Sequence, residues 1–210
     1  MTWTTWWLFA CATALIAATP GPNMLHIMTR SVRHGFRRSI VAMAGCLSAV
    51  VLCVTASSLG LGALLTASRG LFEVLRYVGV AYLLWLAWKS WTAQAEVATG
   101  VHPDAGGEAR VPTAAMYRTA LFTGLSNPKL IIFATAFFPQ FIRADRPWAP
   151  QFGILVATFA VIETCCYVGY ALGGRQIARA LSSPRRQRAF NRATGGLFAC
   201  FGIGLLAYRA

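Results

Sequence analysis

The stretch Thr19-Pro-Gly-Pro-Asn23 interrupts an apolar run that begins at Trp3 and continues to about Thr29. A helix over the whole run would be about 40 Å long, since each residue adds about 1.5 Å, whereas the hydrocarbon core of a bilayer is about 30 Å thick. Pro20 and Pro22 also lack the backbone N–H that a continuous helix requires. The sequence therefore predicts a first membrane span that is broken at residues 19–23.

The composition also favours a membrane protein. The chain has 210 residues, of which 57% are hydrophobic and 12% are charged, whereas a soluble domain has about 45–50% and about 25%. The apolar residues suffice for about six spans of about 20 residues each. The 19 Lys and Arg residues outnumber the 6 Asp and Glu residues, which is typical of proteins that contact nucleic acid or a membrane surface. The hydrophobicity favours the membrane and excludes disorder, a disulfide-rich scaffold and most soluble enzymes.

The six cysteines lie in apolar runs without C-x-x-C spacing or a nearby histidine, so we interpret them as small apolar residues. The basic runs 30–38 and 185–192 flank spans, so we interpret them as topology determinants rather than sites for anionic lipid or nucleic acid. We predict no cofactor, no bound metal and no nucleic-acid partner.

The apolar pattern predicts an all-α membrane protein with six transmembrane helices, at about residues 3–29, 40–65, 71–88, 120–142, 149–173 and 194–208. A cytoplasmic linker at 96–111 separates a first three-helix half, 1–95, from a second, 112–210. The last span is short, and the alternative is five spans, with the first or last segment not crossing.

Positive charge predicts the orientation. With six spans, the segments 30–38, 89–119 and 174–193 lie on one side and hold 13 of the 19 Lys and Arg residues. That side is expected to be cytoplasmic, with both termini outside.

A second break, Ser126-Asn127-Pro128-Lys129, interrupts the fourth span. Each break lies in the first span of its half, and three spans per half make the halves inverted repeats. Gly/Pro-interrupted spans at corresponding positions of two halves indicate the binding site of a transporter. The alternative is a pair of proline kinks without a ligand.

The polar residues at the breaks allow more than one role. Asn23 and Asn127 can each donate to a carboxylate or cap the helix that resumes after the break. Lys129 can meet a substrate carboxylate or extend to the membrane surface. Glu163 lies near the middle of the fifth span, where an acid suggests proton or cation handling, the alternative being a structural pair with an arginine. Glu73 and Arg76 share a helix face and are interpreted as a local ion pair or a snorkelling pair.

Two ridges of small residues predict close helix contacts. One lies on the second span and comprises Gly45, Ala49, Cys53 and Ser57, and the other comprises Gly196, Cys200 and Gly204 in the last span. Such ridges pack within one chain or between two, so a homodimer is an alternative to a monomer.

Short motifs follow one another along nearly the whole chain. They are Thr19-Pro-Gly-Pro-Asn23, Arg33-His-Gly-Phe-Arg37 before Gly45, Gly60-Leu-Gly62, Tyr82-Leu-Leu-Trp-Leu86, Tyr117-Arg-Thr with Asn127-Pro-Lys129, and Phe137-Phe-Pro-Gln-Phe141. In this order and spacing they resemble the LysE/RhtB superfamily of amino-acid exporters. The segment 71–76 and the position of Glu163 are similar to its homoserine/threonine-type branch, where the fifth span usually carries an aspartate.

The resemblance implies an inner-membrane secondary transporter that exports amino acids or close derivatives in exchange for protons. Small neutral substrates such as threonine or homoserine are favoured over basic ones. The transport core that it implies comprises Gly21, Pro22, Asn23, Asn127, Pro128 and Glu163, and Lys129 is a further candidate for substrate binding. Alternating access would rock the two halves around this core, with Glu163 carrying the proton.

Other functions have weaker support in the sequence. A passive channel, or an exporter of another small metabolite, is the main alternative. An intramembrane serine protease would need Ser126 or another membrane serine with His26, but no nucleophile elbow surrounds them. A thiol relay needs a paired, activated thiol, whereas Cys165 and Cys166 point about 100° apart on one helix. We therefore predict that the protein is not an enzyme.

Overall fold

The computed structural model describes residues 1–67, 69–92, 111–143, 145–181 and 183–207. Within these residues the chain is helical and contains no strand. The α-helices are α1 Trp3–Ala18, α2 Pro22–His34, α3 Phe36–Ala67, α4 Arg69–Thr92, α5 Thr113–Leu125, α6 Pro128–Ile132, α7 Trp148–Leu181 and α8 Pro184–Ala207.

Both predicted breaks are confirmed. The chain bends by 54° between α1 and α2, and by 54° between α5 and the segment that begins with α6. Proline occupies the first position of both α2 and α6, where its missing N–H is not required because the first turn of a helix has no intrahelical acceptor for it. A proline that cannot continue the first helix of each pair is therefore well suited to begin the second.

The segment after α6 departs from regular α-helix, which the sequence did not predict. Phe133–Phe137 form a π-helical turn and Phe138–Phe141 a 3-10 turn. The Ser57 hydroxyl of α3 donates to the Ala134 carbonyl at 2.6 Å and so stabilises the π-helical turn. π-helical turns are frequent at functional sites.

The described residues contain two helices that are long and apolar enough to cross a membrane, with apolar parts Phe36–Gly60 and Trp148–Gly174. The number rises to four if each bent pair, α1 with α2 and α5 with the segment after it, is one span. The arrangement of six spans in two repeats stays a prediction.

The basic segments predicted as loops are largely helical, which corrects the predicted boundaries. α2 continues to His34, and only Gly35, with φ of +81°, separates it from α3. Likewise α7 extends to Leu181 and α8 begins at Pro184, ten residues before the predicted sixth span. Arginine and glutamine are good helix formers, so a helix need not end where the apolar sequence ends.

α3 and α5 pack closely because small residues line their contact. A Cβ atom added to Gly124 would lie 2.4 Å from the Cβ of Ala49, and one added to Gly45 would lie 2.5 Å from the Tyr117 carbonyl oxygen. The first predicted ridge, at 45, 49, 53 and 57, thus faces the second broken helix.

In α8 the glycines nearest α4 are not those of the predicted ridge. A Cβ on Gly195 would lie 2.7 Å from the Ala87 carbonyl oxygen, whereas one on Gly204 would meet no described atom within 4 Å. Cys200 is exposed. A Cβ on Gly196 would lie 4.0 Å from the Trp91 ring of α4, so the predicted ridge approaches α4 only at its Gly196 end.

The buried apolar side chains form two clusters. The aromatic cluster extends toward Met1 and Ile142, and its buried rings belong to Phe9, Phe133, Phe137, Phe138, Phe159 and Phe198. The methionine cluster lies among α2, α3, α5 and α7 and includes Met24, Ile27, Met43, Met116 and Tyr167.

Two predictions fall on residues that the structure does not describe. Of the linker 96–111, only Val111 is described, and its carbonyl accepts a hydrogen bond of 2.5 Å from the Arg38 guanidinium. The side chains of Glu73 and Arg76 lie outside the described part as well.

Candidate functional site

The first break frees carbonyl groups at the end of α1. In a continuous helix the N–H of residue 20 would donate to Ile16 and that of residue 22 to Ala18, but both residues are proline. The Ile16 carbonyl instead accepts from the N–H and the hydroxyl of Thr19. The Ala18 carbonyl accepts from the Tyr170 hydroxyl of α7 at 2.8 Å. The break is therefore partly satisfied by a residue of the second half.

Lys129 satisfies the next carbonyl of the first break. Its Nζ donates to the Thr19 carbonyl oxygen at 2.8 Å and lies 3.3 Å from the Thr19 hydroxyl. Its stem lies beside Gly21, where an added Cβ would be 3.5 Å from Nζ. The side chain is thus directed into the protein, and the alternative that it extends to the membrane surface is wrong.

The second break is capped by its own asparagine. The Oδ1 of Asn127 accepts from the Lys129 N–H at 3.1 Å, so Asn127 is the N-cap of α6. Pro128 cannot donate to the Gly124 carbonyl, which accepts from the Asn127 N–H at 3.0 Å instead. Of the two roles predicted for Asn127, capping is confirmed.

Asn23 has a different role. It is the second residue of α2, whose N-cap, Gly21, makes no side-chain capping bond. Its Oδ1 accepts from the Asn127 Nδ2 at 3.0 Å, and its Nδ2 donates to the Tyr167 hydroxyl at 3.3 Å. Asn23 and Asn127 are 5% and 3% exposed, and Tyr167 is fully buried. Side chains from both breaks and from α7 therefore form one buried hydrogen-bonded chain.

Glu163 adjoins this chain near the middle of the apolar part of α7. It lies about 22 Å from Trp148 and about 16 Å from Gly174 along the helix. The Tyr167 hydroxyl, one turn later, is within hydrogen-bonding reach of the carboxyl group, and Lys129 is close enough to attract it electrostatically. Its Oε2 is buried and accepts no hydrogen bond from the described residues. Lysine rather than arginine is thus the cation near this acid.

The polar residues and both breaks surround one small cavity of about 20 Å³. That volume holds about one water molecule. The cavity contacts the aromatic cluster through Phe133 and Phe159 and the methionine cluster through Met24. Its lining comprises Ile16, Gly21, Asn23, Met24, Asn127, Lys129, Leu130, Phe133, Phe159 and Glu163.

The structure brings together most of the predicted site residues. Gly21, Asn23, Asn127, Lys129 and Glu163 line the cavity. The two prolines, at positions 22 and 128, begin α2 and α6 and do not belong to the lining. They shape the breaks rather than contact the cavity.

The prediction missed three polar residues: Thr19, Tyr167 and Tyr170. Thr19 was quoted only as part of a motif. Tyr167 and Tyr170 follow Glu163 at spacings of four and seven on α7, which places all three on one helix face. That polar stripe on an otherwise apolar helix is the signal that could have identified them.

The described residues contain no group of three or more His, Cys, Asp or Glu side chains that could hold a metal ion. The cysteines are free, and Cys46 packs in the methionine cluster with its Sγ 3.6 Å from the Ala120 carbonyl oxygen. What the site offers is hydrogen-bonding groups, one ammonium group and one carboxyl group.

Comparison with known proteins identifies the family. The model of the LysE type translocator family matches residues 14–209. The chain is 33% identical over 209 residues to the homoserine/homoserine lactone efflux protein of Salmonella typhimurium, which covers 100% of this chain and 99% of that protein. It is 28% identical over 206 residues to the leucine efflux protein of Salmonella choleraesuis, which covers 95% and 93%. No solved structure matches.

The family match covers nearly the whole chain, including both breaks, Glu163 and the tyrosines of α7. Relatives of nearly the same length include an uncharacterized membrane protein of Vibrio cholerae. It is 30% identical over 201 residues, and the match covers 95% of this chain and 95% of that protein. The chain is a membrane protein and belongs to the LysE type translocator family, whose members are transport proteins rather than enzymes.

Proposed function

We propose that this protein is a secondary active exporter of amino acids or their close derivatives. The observation that supports this most is the small cavity at which both broken helices and Glu163 meet. Irregular backbone at membrane depth is tolerated where it lies inside protein or faces a cavity, and transporters place their substrate site there. The efflux proteins to which the chain is similar are named for homoserine, homoserine lactone and leucine.

The two ends of an amino acid match different groups of the site. The first-turn N–H groups of α2 have no side-chain cap and suit a carboxylate at the positive end of the helix dipole. The carbonyl groups freed at the first break suit an ammonium group. At α6, by contrast, Asn127 already accepts from the Lys129 N–H, so we assign the carboxylate to the first break.

The charges favour a small neutral substrate over a basic one. Among the described residues, Glu163 is the one acid that lines the cavity, and Lys129 already supplies a cation. A basic side chain would add a second buried cation without a further acid to compensate it, which is costly at low dielectric.

The size of the cavity supports alternating access. A volume of about 20 Å³ is too small for an amino acid, so the structure corresponds to a closed state. Movement of one half against the other would open the cavity through the aromatic cluster or through the methionine cluster. We propose that the halves, 1–95 and 112–210, are inverted repeats that move in this way.

The packing of the helices supports the repeat. α1 and α2 pack on α7 of the other half, and α5 packs on α3 of the first. α3 contacts α7, and α4 contacts α8, so these two pairs of corresponding helices meet. These contacts are those expected if a two-fold axis exchanges the halves.

We propose that Glu163 carries the coupled proton. It lies in the cavity lining, midway along α7, and has one oxygen without a hydrogen bond. Intramembrane acids typically mark proton or ion pathways. We further propose an inner-membrane location, basic segments facing the cytoplasm, and either a monomer or a homodimer that associates through the outward-facing ridge of α8.

A passive channel is the second candidate, as is an exporter of another small metabolite. The small volume of the cavity, about 20 Å³, supports a carrier, because a channel needs a continuous path that is open to both sides at once. Saturable exchange of substrate across the membrane distinguishes a carrier from a channel.

Export driven by a pH gradient tests the proposal. Proteoliposomes loaded with labelled homoserine or leucine are placed in a more acidic buffer, and efflux is measured for wild type and Glu163→Gln. The pH gradient should accelerate efflux through the wild-type protein, whereas efflux through the variant should be the same with and without the gradient. If Glu163→Gln exports as well as wild type with the same gradient dependence, Glu163 does not carry the proton.

Asp145→Asn is the matched control for this experiment. Asp145 lies in the exposed loop before α7, where the Arg143 guanidinium donates two hydrogen bonds of 2.9 and 2.8 Å to its carboxylate. Those bonds hold the pKa of the Asp145 carboxyl below its usual value, so this acid stays ionised at the pH of the assay. Its replacement should leave efflux unchanged, since exposed ion pairs contribute little to stability.

A further inference from the structure

Lys129 occupies the position that the proposed function gives to the substrate ammonium. Its Nζ donates at 2.8 Å to the Thr19 carbonyl oxygen, which belongs to the other break. The donor is a primary ammonium group, like the amino end of an amino acid at neutral pH. The closed structure thus already holds an ammonium group on a carbonyl of the first break.

A second ammonium group could not join it without strong repulsion. Both groups would lie within one small cavity, where charges are poorly screened. A substrate that uses the Thr19 carbonyl therefore requires Lys129 to leave it.

Glu163 offers Lys129 an alternative partner. Both residues line the cavity, and they attract each other electrostatically. The Glu163 Oε2 is buried and has no hydrogen bond from the described residues, so it can accept one. Lysine has a flexible stem of four carbons, which allows its ammonium group to change partners while its backbone stays in place.

We propose that Lys129 competes with the substrate ammonium for the Thr19 carbonyl, and that it transfers to Glu163 when substrate binds. This inference rests on the proposed function and specifies how a proton and a substrate exclude each other. When Glu163 is ionised, it attracts Lys129 and frees the carbonyl for substrate. When Glu163 is protonated, it loses that attraction, and Lys129 returns to Thr19 and displaces the substrate ammonium.

Because the proton and the substrate exclude each other, they move across the membrane in opposite directions, as in an antiporter. One proton binds the Glu163 carboxylate on the acidic side, and one substrate leaves there. On the opposite side the proton is released, Lys129 moves to the carboxylate, and substrate binds. In this scheme Lys129 moves together with its proton, and Glu163 is the group that changes charge.

Within the part of the chain that the structure describes, few other titratable groups face Glu163. Those that interact with it electrostatically are Lys129, Tyr167, Cys46 and Cys166. The electrostatic neighbour of His26 on α2 is Arg30. The one cysteine of α1, Cys11, is exposed, and α8 carries its charged residues near its N-terminal end, at 185, 186, 188 and 192.

The test measures the half-saturation concentration for counterflow as a function of pH, with labelled homoserine and labelled leucine as probes. In wild type this concentration should rise as pH falls, by up to about tenfold per pH unit where one proton competes with one substrate. In Lys129→Met we expect most of that pH dependence to be lost, whatever the change in the maximal rate of counterflow. Lys89→Met is the matched control, because the other lysine of the chain lies over the Trp85 ring outside the site.

The double variant supplies a second test. Glu163→Gln alone leaves Lys129 on Thr19, so it should bind the probes weakly at every pH. Adding Lys129→Met should restore binding, because the competitor is gone. The double variant also avoids leaving one buried charge without its partner, which protects its folding.

The outcomes separate this inference from the proposed function. If wild type shows no counterflow with any amino acid, the proposed function fails. If wild type exchanges amino acids but Lys129→Met keeps the full pH dependence, the competition is wrong and the exporter stands. A double variant that binds no better than Glu163→Gln also overturns it.

Discussion

The Nδ2 atom of Asn127 donates a hydrogen bond of 3.0 Å to the Oδ1 of Asn23, which joins the two broken helices directly. The same Asn127 caps α6 through its Oδ1, and the same Asn23 donates to Tyr167 of α7. Each asparagine therefore uses both ends of its amide. The second break and α7 are therefore connected through Asn23 of the first break.

Asn127→Ala tests this junction. The change removes the N-cap of α6, which costs about 1 kcal/mol, and leaves the buried Asn23 oxygen without its donor, which costs about 1–3 kcal/mol. We expect a lower unfolding temperature in detergent and counterflow reduced about tenfold or more, because the site loses its alignment. Asn191→Ala in α8 is the control and should resemble wild type. Equal activity of the two variants would contradict a role for the junction.

Tyr170→Phe tests how the first break is satisfied. The variant keeps the ring but removes the hydroxyl that donates to the Ala18 carbonyl at 2.8 Å. Since no water is available in the hydrocarbon region, we expect a loss of about 1–3 kcal/mol in the free energy of unfolding. Tyr77→Phe, at a residue 57% exposed, should leave this free energy unchanged. Thermal unfolding of wild type and both variants measures the difference. Equal stability of the two variants would show that the Ala18 carbonyl has another donor.

Gly124→Ala tests the close approach of α3 and α5. The added methyl group would lie 2.4 Å from the Cβ of Ala49, so the helices must separate, at a cost of about 1–3 kcal/mol. At Gly153 in α7 nothing lies within 4 Å of an added Cβ. Gly153→Ala should therefore be neutral or stabilise by up to about 1 kcal/mol. If the two alanine variants unfold at the same temperature, the α3–α5 contact is looser than described.

Cysteine labelling tests the orientation. In a chain with all six cysteines replaced by alanine, Asp145→Cys should react with an impermeant maleimide added to intact cells. Arg188→Cys should react only after the membrane is opened, because the basic segment is expected to face the cytoplasm. The reverse pattern would invert the topology. Transport by the cysteine-free chain would also exclude a thiol relay.

The breaks could be predicted from the sequence because their cause is local. Pro20, Pro22 and Pro128 lack an N–H wherever the chain folds, so a helix must be interrupted there. The central acid, Glu163, was recognisable for the same reason, since its depth follows from its position in an apolar run.

The partners of the freed carbonyls could not be predicted. Tyr170 and Lys129 lie 152 and 110 residues from the carbonyls that they satisfy, and only the packing of the helices brings them there. The ends of α2 and α8 were misplaced for a different reason. Charged residues indicate where the hydrocarbon core of the membrane ends, whereas a helix continues as long as its backbone hydrogen bonds are satisfied.

The measurement that tests the central claim most directly is counterflow in proteoliposomes, loaded in turn with unlabelled homoserine, threonine, leucine or lysine. The account predicts saturable uptake of labelled small neutral amino acids, little uptake of lysine, and loss of exchange in Pro128→Ala but not in Pro184→Ala. If folded wild-type protein exchanges none of these amino acids, it does not export this class of substrate. Uptake that does not saturate, whatever is loaded, would instead identify a channel.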